Sequence, residues 1–443
     1  MALPATAVWE VRPTVGSDTA CGGGFDPAIA SPGTDYSQQD AAQYTFTDLA
    51  SISSLVVASA SHNFVAADVG NFMQITAGTG FTTGFYEIVS VAANQATLDR
   101  SPGTVGVGGT YFVGGALATV SQAVTVMVAS NTVWVMGSAG TYLTTAVQTL
   151  SSGLNGNAGQ PTTFRGYGVT RGDGIQAVWQ IATNSTNLVN FSGGVDNFLF
   201  RDFDFSVAAG TPGYGWYATG NDSTDITAIG CKWSGGLRCI QGDYGAGYTF
   251  NRLILIDCEI TGSAGVGVAN SSATSMFACN VHDNVGDGFQ IFPADVSATT
   301  YLSRTVFRAN NSGAGAHGGI YCGGSGRPLF LENCAFTENT GDGVCNVSSV
   351  GILAVNTIFY GNTGYGINQP NSGNQAYIVY LKTCALGANS SGDFNNLPGI
   401  INEGAVTLTA DPFTNQSAGD FSLNSTAGGG AACKQAGFPT VIP

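Results

Sequence analysis

The sequence predicts an all-β chain whose main body is a parallel β-helix, a solenoid of short stacked strands. Three observations predict it. From Leu253 to Ile367 the chain repeats itself: LILIDCEITGSAGVGV, SMFACNVHDNVGDGF, LSRTVFRANNSGAG, LFLENCAFTENTGDGV and GILAVNTIFYGNTGYGI. Each reads as a short apolar strand, a small or thiol residue, a polar–apolar alternation, an Asn/Gly turn and a second short strand. Aligned on the small residue, a column runs through Phe203, Cys231, Cys258, Cys279, Thr305, Cys334, Thr357 and Cys384, in steps of 28, 27, 21, 26, 29, 23 and 27 residues. A repeat of this length made of strands and turns, with no helical period, marks a solenoid. The composition agrees: only 9% of residues are charged and 64 are glycine, yet 44% are hydrophobic and 25 Phe, 16 Tyr and 5 Trp supply bulk to bury.

In chain order, residues 1–47 are turn-rich and read as an irregular leading segment with one short helix around Gln38–Tyr44. SSLVVASA, NFMQITAG, GFYEIVSVAA and QATLDR then alternate as strands, with a hairpin turning at Asn94–Gln95. This predicts a small antiparallel module, and residues 1–115 as a cap or attachment region. Gly114–Met127 reads as a short amphipathic helix covering the first coil, because an open solenoid end is an unpaired sheet edge. NTVWVMGSAGTYL, from Asn131, is the first coil, and residues 116–400 form the parallel β-helix. Residues 401–443 finish with a short strand pair and an irregular tail, a C-terminal cap.

Within a solenoid like stacks on like, so the columns carry predictions. Compact uncharged Cys, Thr and Phe suit an inward stack. Asn284, Asn339 and Asn362 fall in one column and predict a ladder of turn amides. Gly288, Gly343 and Gly366 follow at a fixed offset, where the backbone needs positive φ or close approach. The ten cysteines show neither a CxxC pair nor zinc spacing, and there are three histidines. They read as buried reduced thiols, with disulfides between neighbouring coils left open; no metal or cofactor is implied. Cys21 and Cys433 have no place in this pattern.

The net charge of −15 disfavours nucleic acid. No apolar run approaches a membrane span. The opening MALPATAVWEVRPT has neither the basic nor the apolar region of a secretory leader, so either a leader has been replaced by the starting Met or the chain does not use that export route.

The Asn/Gly-turned coils with Cys stacks resemble right-handed parallel β-helix proteins of the pectate-lyase-like superfold. VWEVRPTVGSD…GGGFDP…GTDYSQQDAAQ, DVGNFMQITAGTGFTTGFYEIVSV…ATLDRSPG and NTVWVMGSAGTY…FRGYGVTRGDG resemble β-helix proteins of tailed bacteriophages, over most of residues 8–175. The close, DPF…AGDFSLNSTAGGGAACKQAGFP, is similar to the final coil of bacterial and phage β-helix proteins. The resemblance implies a virion surface component (tail spike, fibre or capsid decoration), a homotrimer in contact with other virion proteins and with host surface polysaccharide. A fold by itself proves no function.

Two alternatives carry different chemistry. A polysaccharide lyase or glycoside hydrolase would need clustered carboxylates. Asp287 and Asp342 share a column two coils apart, roughly 10 Å by strand spacing, near the upper limit for the acid and base of an inverting glycosidase. Asp202 and Asp204 alternate in one strand and would face one side, and Asp283 sits beside His282. GDG is also a plain turn, where Asp bonds its own backbone, and this reading outweighs the catalytic one. The polygalacturonase-like set is absent, His317 in AHGGI matching only a fragment, and the 13 basic residues show no cluster for an acidic sugar chain. A secreted, extracellular adhesin is the second alternative and would need an export signal. The stronger ligand signal is aromatic: Tyr214, Trp216, Tyr217, Trp233, Tyr244 and Tyr248 suit sugar stacking. Against this stands a packing or subunit-contact role for the same rings. Arg171-Gly172-Asp173 spells a cell-adhesion tripeptide but is expected to end a coil.

Overall fold

The computed structural model describes residues 3–181, 186–208, 213–242, 247–292, 299–311, 313, 317–323, 328–348, 350–370, 378–396 and 399–439. They fall into two units. The first holds residues 1–143, 152–179 and 197–203; the second holds 144–151, 180–196 and 204–443.

In the first unit the leading segment is mostly irregular, but it carries two short strands. Val8–Val11 is a strand that pairs antiparallel with Gly24–Phe25 and parallel with Thr132–Met136. Trp9 drives this: it is fully buried, packs on Phe72 at 4.8 Å and donates from Nε1 to Asn131 Oδ1 at 3.0 Å. Residues 37–41 form bends rather than the expected helix, and Tyr44 opens a strand. The carbonyls of Tyr36 and Gln39 are taken by the amides of Gly115 and Ala116, and that of Gln38 by Arg12. None of these three is left for a helical turn.

The antiparallel module is a closed six-stranded barrel of Tyr44–Ser51, Val56–Ala58, Phe72–Thr79, Gly84–Ala92, Gln95–Leu98 and Val107–Val113. Leu49, Met73, Ile75, Ile88, Tyr111 and Val113 fill it. The hairpin is present, one residue earlier than expected. Ala92 faces Gln95, and the turn residues Ala93 and Asn94 have φ of 50° and 61°, the left-handed pair that suits the twist of a two-residue hairpin. The predicted helix is Val120–Val126. Thr119 caps it by accepting from Gln122 N at 3.0 Å, and Asp18 in turn holds Thr119.

The second unit is a stack of three parallel sheets, which we number I to III in chain order round a coil. Sheet I contains Ser223–Ile229, Phe250–Ile256, Thr274–Phe277, Thr300–Ser303, Leu329–Glu332, Ile352–Val355, Val379–Lys382 and Ile400–Glu403. Sheet II contains Lys232–Gly235, Glu259–Thr261, Asn280–His282, Val306–Arg308, Ala335–Thr337, Ile358–Tyr360, Ala385–Gly387 and Val406–Thr407, besides residues of Phe203–Val207. Sheet III is the ten-stranded stack from Gln148–Ser151 to Gly392–Asn395. This is a parallel β-helix.

The small-residue column is the corner between sheets I and II. Its carbonyls each accept the amide that follows the same position one coil on, as in Asn280 N to Cys258 O and Val306 N to Cys279 O. The thiols and hydroxyl donate back one coil: Cys279 Sγ to Leu255 O, Thr305 Oγ1 to Met276 O, Cys334 Sγ to Leu302 O. A compact donor is what the corner requires, so Cys and Thr interchange there. All ten cysteines are buried thiols. The asparagine ladder is longer than its three predicted members and runs Asn284, Asn310, Asn339, Asn362, Asn389, amide to amide at 2.9–3.1 Å. Gly288, Gly343 and Gly366 serve close approach: a Cβ on Gly343 would lie 2.6 Å from the Gly366 carbonyl oxygen.

The C-terminal segment covers a flank. Phe413–Asn415 and Asp420–Leu423 pair antiparallel, and Phe413, Phe421, Leu423, Cys433 and Phe438 pack on the outer residues Val306, Ala335, Ile358 and Ala385 of sheet II. Gly430–Gln435 is a helix where the sequence predicts an irregular tail; its glycines hid it.

Candidate functional site

Sheet III positions the candidate site. Its strands are short, and alternate residues point outward. The parallel registers bring one outward column together: Thr149, Asn190, Tyr217, Gln241, Ala269, Gln290, Tyr321, Cys345, Asn368 and Asn395. Ten coils contribute, and no member carries a charge. Gln241, Ala269 and Cys345 are buried and the others reach the surface to varying degrees. Burial pushes the Cys345 thiol well up, with Asp342 adding to it.

Asp287 and Asp342 stand at the starts of their strands in a second column, with Gly318 between them. The expected alignment is therefore present, two coils apart. Both are 3% exposed. Asp287 Oδ1 accepts from Gly318 N at 2.8 Å and Oδ2 from Gln290 Nε2 at 2.7 Å. Asp342 does the same one step on, Oδ1 from Tyr365 N at 2.8 Å and Oδ2 from Asn368 Nδ2 at 2.7 Å. Each carboxylate clamps the next coil and orients an amide of the outward column. Burial raises Asp342 above the usual carboxylate range, against the hydrogen bonds from Tyr365 and Asn368. Gly318 is needed here, since a Cβ would lie 2.0 Å from the Asp342 carbonyl oxygen.

His317 is the residue that the sequence undervalued. Its Nδ1 lies 3.5 Å from Asp287 Oδ2, its ring centroid is 3.9 Å from that of Tyr321, and its side chain is 33% exposed. The signal was its place one residue before Gly318, which only the register reveals.

Two of the six aromatics, the tryptophans, are placed otherwise than predicted. Trp216 and Trp233 are both fully buried, 4.9 Å apart and nearly perpendicular, with Phe205 against each. They fill the core of their coils and offer no face to a sugar. Tyr214 and Tyr217 are half-buried, with ring centroids 5.1 Å apart. Tyr248 is also half-buried, and Tyr244 lies outside the described residues.

The other charged candidates disperse. Asp202 sits ahead of the strand Phe203–Val207 at φ 58°, so it does not share a face with Asp204; it pairs with Arg201 at 3.2 Å. Asp204 faces Lys232 across sheet II, and burial raises it. His282 joins Glu259 at 3.1 Å to Asp283 at 2.7 Å. In the tripeptide at 171–173, Arg171 is held by buried Glu10 at 2.6 Å, and Asp173 accepts the amides of Gly168, Val169, Thr170 and Ile175. Those bonds hold the Asp173 carboxyl far below its ordinary range. Among the described residues, no group of three His, Cys, Asp or Glu is placed to hold a metal ion.

The family described as right-handed beta helix region matches residues 188–363. No curated relative matches the chain. Among solved structures, the chain is similar to the pectate lyase Pel9A, with 13% identity, TM-score 0.49, and 70% of this chain and 85% of that one covered. It is also similar to the A-module of the Azotobacter vinelandii mannuronan C-5 epimerase AlgE4, with 13% identity, TM-score 0.38, and 66% and 76% covered. Geobacillus virus E2 ORF18 aligns with 15% identity, TM-score 0.36, and 66% and 58% covered.

Proposed function

We propose that this chain is a structural and adhesive protein of a bacteriophage virion surface, a spike, fibre or capsid decoration, that binds host glycan along sheet III without cleaving it. The observation that supports this most is the outward column of sheet III, uncharged through ten coils and reaching the surface at seven of them with amides, a threonine hydroxyl and two tyrosine rings. Hydroxyl-rich polymers are held by such amides and by rings lying on their apolar faces. The carboxylates beside the column are engaged by the neighbouring coil and by its amides, which suits holding a surface rather than turning over a substrate. The homotrimer, its contacts with other virion proteins and its place on the particle belong to the same proposal, through the resemblance of residues 8–175.

The test is binding of the whole chain to polysaccharides from candidate host surfaces. Tyr217→Ala and Tyr321→Ala should each weaken binding about tenfold while leaving the glycan intact. Binding unaffected by both would sink the reading. Appearance of shortened glycan would favour a lyase or hydrolase, which one observation supports: His317 beside Asp287, with Asp342 two coils on. In that case His317→Ala should abolish cleavage without lowering the melting temperature.

A further inference from the structure

The sequence shows no basic cluster, but the first unit has one. Across four neighbouring strands the outward residues of one row are Glu10, Trp134, Arg165 and Arg201. Glu10 is fully occupied: Arg171 and Arg12 reach it at 2.6 and 3.2 Å, and the Tyr167 hydroxyl donates to it. Arg201 gives its Nε to Asp202 at 3.2 Å and keeps its outer nitrogens, with its side chain 46% exposed. Arg165 differs from both. Among the described residues its side chain has neither a hydrogen bond nor an ion pair within 4.0 Å, although the Asp202 carboxylate that pairs with Arg201 also attracts it from farther off. Its Nε is buried without an acceptor, and its guanidinium carbon lies 5.2 Å from the Trp134 ring centroid. In a chain of net charge −15, two like charges one strand spacing apart, one of them unpaired, form a site with donors to spare.

On the same face, two residues back along the strands, Thr132 and Thr163 line a cavity of about 420 Å³ together with Ser130, Gln160 and Thr6. Hydroxyls and an amide share the lining with the apolar Val8, Pro27, Ala28 and Pro161, a mixture that matches the hydroxyls and C–H faces of a sugar, and guanidiniums follow along the same strands.

We propose that Arg165 and Arg201 form a binding site for a phosphate-bearing sugar, with Trp134 supporting the Arg165 guanidinium as it also does that of Arg171. The phosphate lies between the two guanidiniums, and the sugar hydroxyls enter the cavity of Thr132 and Thr163. A single carboxylate matches the fork of one arginine. Two guanidiniums on successive strands present donors from two sides, which suits the three oxygens and near-double charge of a phosphate. This site is independent of the sheet III column, so either can fail alone.

The experiment titrates the whole chain with glucose 6-phosphate, inorganic phosphate, glucuronate and glucose, at low and high salt. Glucose 6-phosphate should bind most tightly, and more weakly at high salt. Arg165→Ala and Arg201→Gln should each weaken it at least about tenfold. Arg201 is exposed, so its variant keeps the wild-type melting temperature and separates binding from folding. Equal affinity for glucuronate would overturn the phosphate assignment, and equal affinity for inorganic phosphate would overturn the sugar subsite. Binding that neither variant changes, or no binding, would overturn the site.

Discussion

The side chain of Asn339 makes four hydrogen bonds and is fully buried. Its Nδ2 donates to Asn362 Oδ1 and to Phe307 O, and its Oδ1 accepts from the amide and the side chain of Asn310. Asn339→Ala strands these partners in a dry interior, so it should cost about 3 kcal/mol or more, read as a lower urea midpoint. The ladder was half legible. Spacing found Asn284, Asn339 and Asn362, but FRANNSG offers two adjacent asparagines, and only the register picks Asn310. A second residue sets a pH dependence. Burial first, then Asp26 and Asp99, push the Glu87 carboxyl up to about 7. The folded chain therefore keeps a proton that the unfolded chain releases near 4.5. That contribution to stability is whole below pH about 4.5 and is lost as pH rises through about 7. With screening discounted it is about 2 kcal/mol. Thermal melts of Glu87→Gln from pH 4 to 8 should show a flatter profile than those of the parent.

At the scale of elements, the corner between sheets I and II repeats a conformation that the sequence hides. Asp257, Ala278, Arg304, Asn333, Asn356 and Thr383, each one residue before the column, have φ between 48° and 55°. Glycine is the expected resident of that region, yet of the eight positions that precede the column, with Asp202 and Gly230 included at φ 58° and 61°, only Gly230 is glycine. The amides of the six explain it: each donates to a carbonyl of the next coil, as Thr383 N does to Glu403 O at 2.7 Å. Stacking holds them there at a local cost. Thr383, β-branched, bears the most, and Thr383→Gly should raise the urea midpoint by about 1 kcal/mol equivalent. The C-terminal segment is the other element whose role composition concealed. Phe421 is 2% exposed against sheet II, and Phe421→Ala should cost about 3–4 kcal/mol. A Tm that fails to drop would mean the flank does not need its cover. The strand pair was legible from its alternation; its docking was not, because the partner stripe is drawn from residues 23–29 apart in four separate coils.

At the scale of the molecule, the fold class could be read because a solenoid writes its core into the sequence as columns. The candidate site could be read only in part. Asp287 and Asp342 share a repeated turn and were found; His317 and the row of Trp134, Arg165 and Arg201 meet only through register across coils of unequal length. Trp216 and Trp233 misled because a ring that fills a wide coil and a ring that stacks on sugar look the same in one dimension. No helix among the described residues is long and apolar enough to cross a membrane. The molecular-scale prediction concerns assembly: mass spectrometry of purified particles should detect the chain at fixed stoichiometry to the major capsid protein. Many copies would mean capsid decoration, few a tail spike, and absence would end the virion reading.

The steps of the corner column range from 21 to 29 residues, while the columns themselves stay in step. Strand positions are therefore insulated from the lengths of the segments between them. Insertions and deletions in those segments alter what the protein displays and leave how it stands untouched. Such a chain can exchange its surface with other genes one loop at a time, and relatives should differ most in length where this one departs furthest from its own average coil.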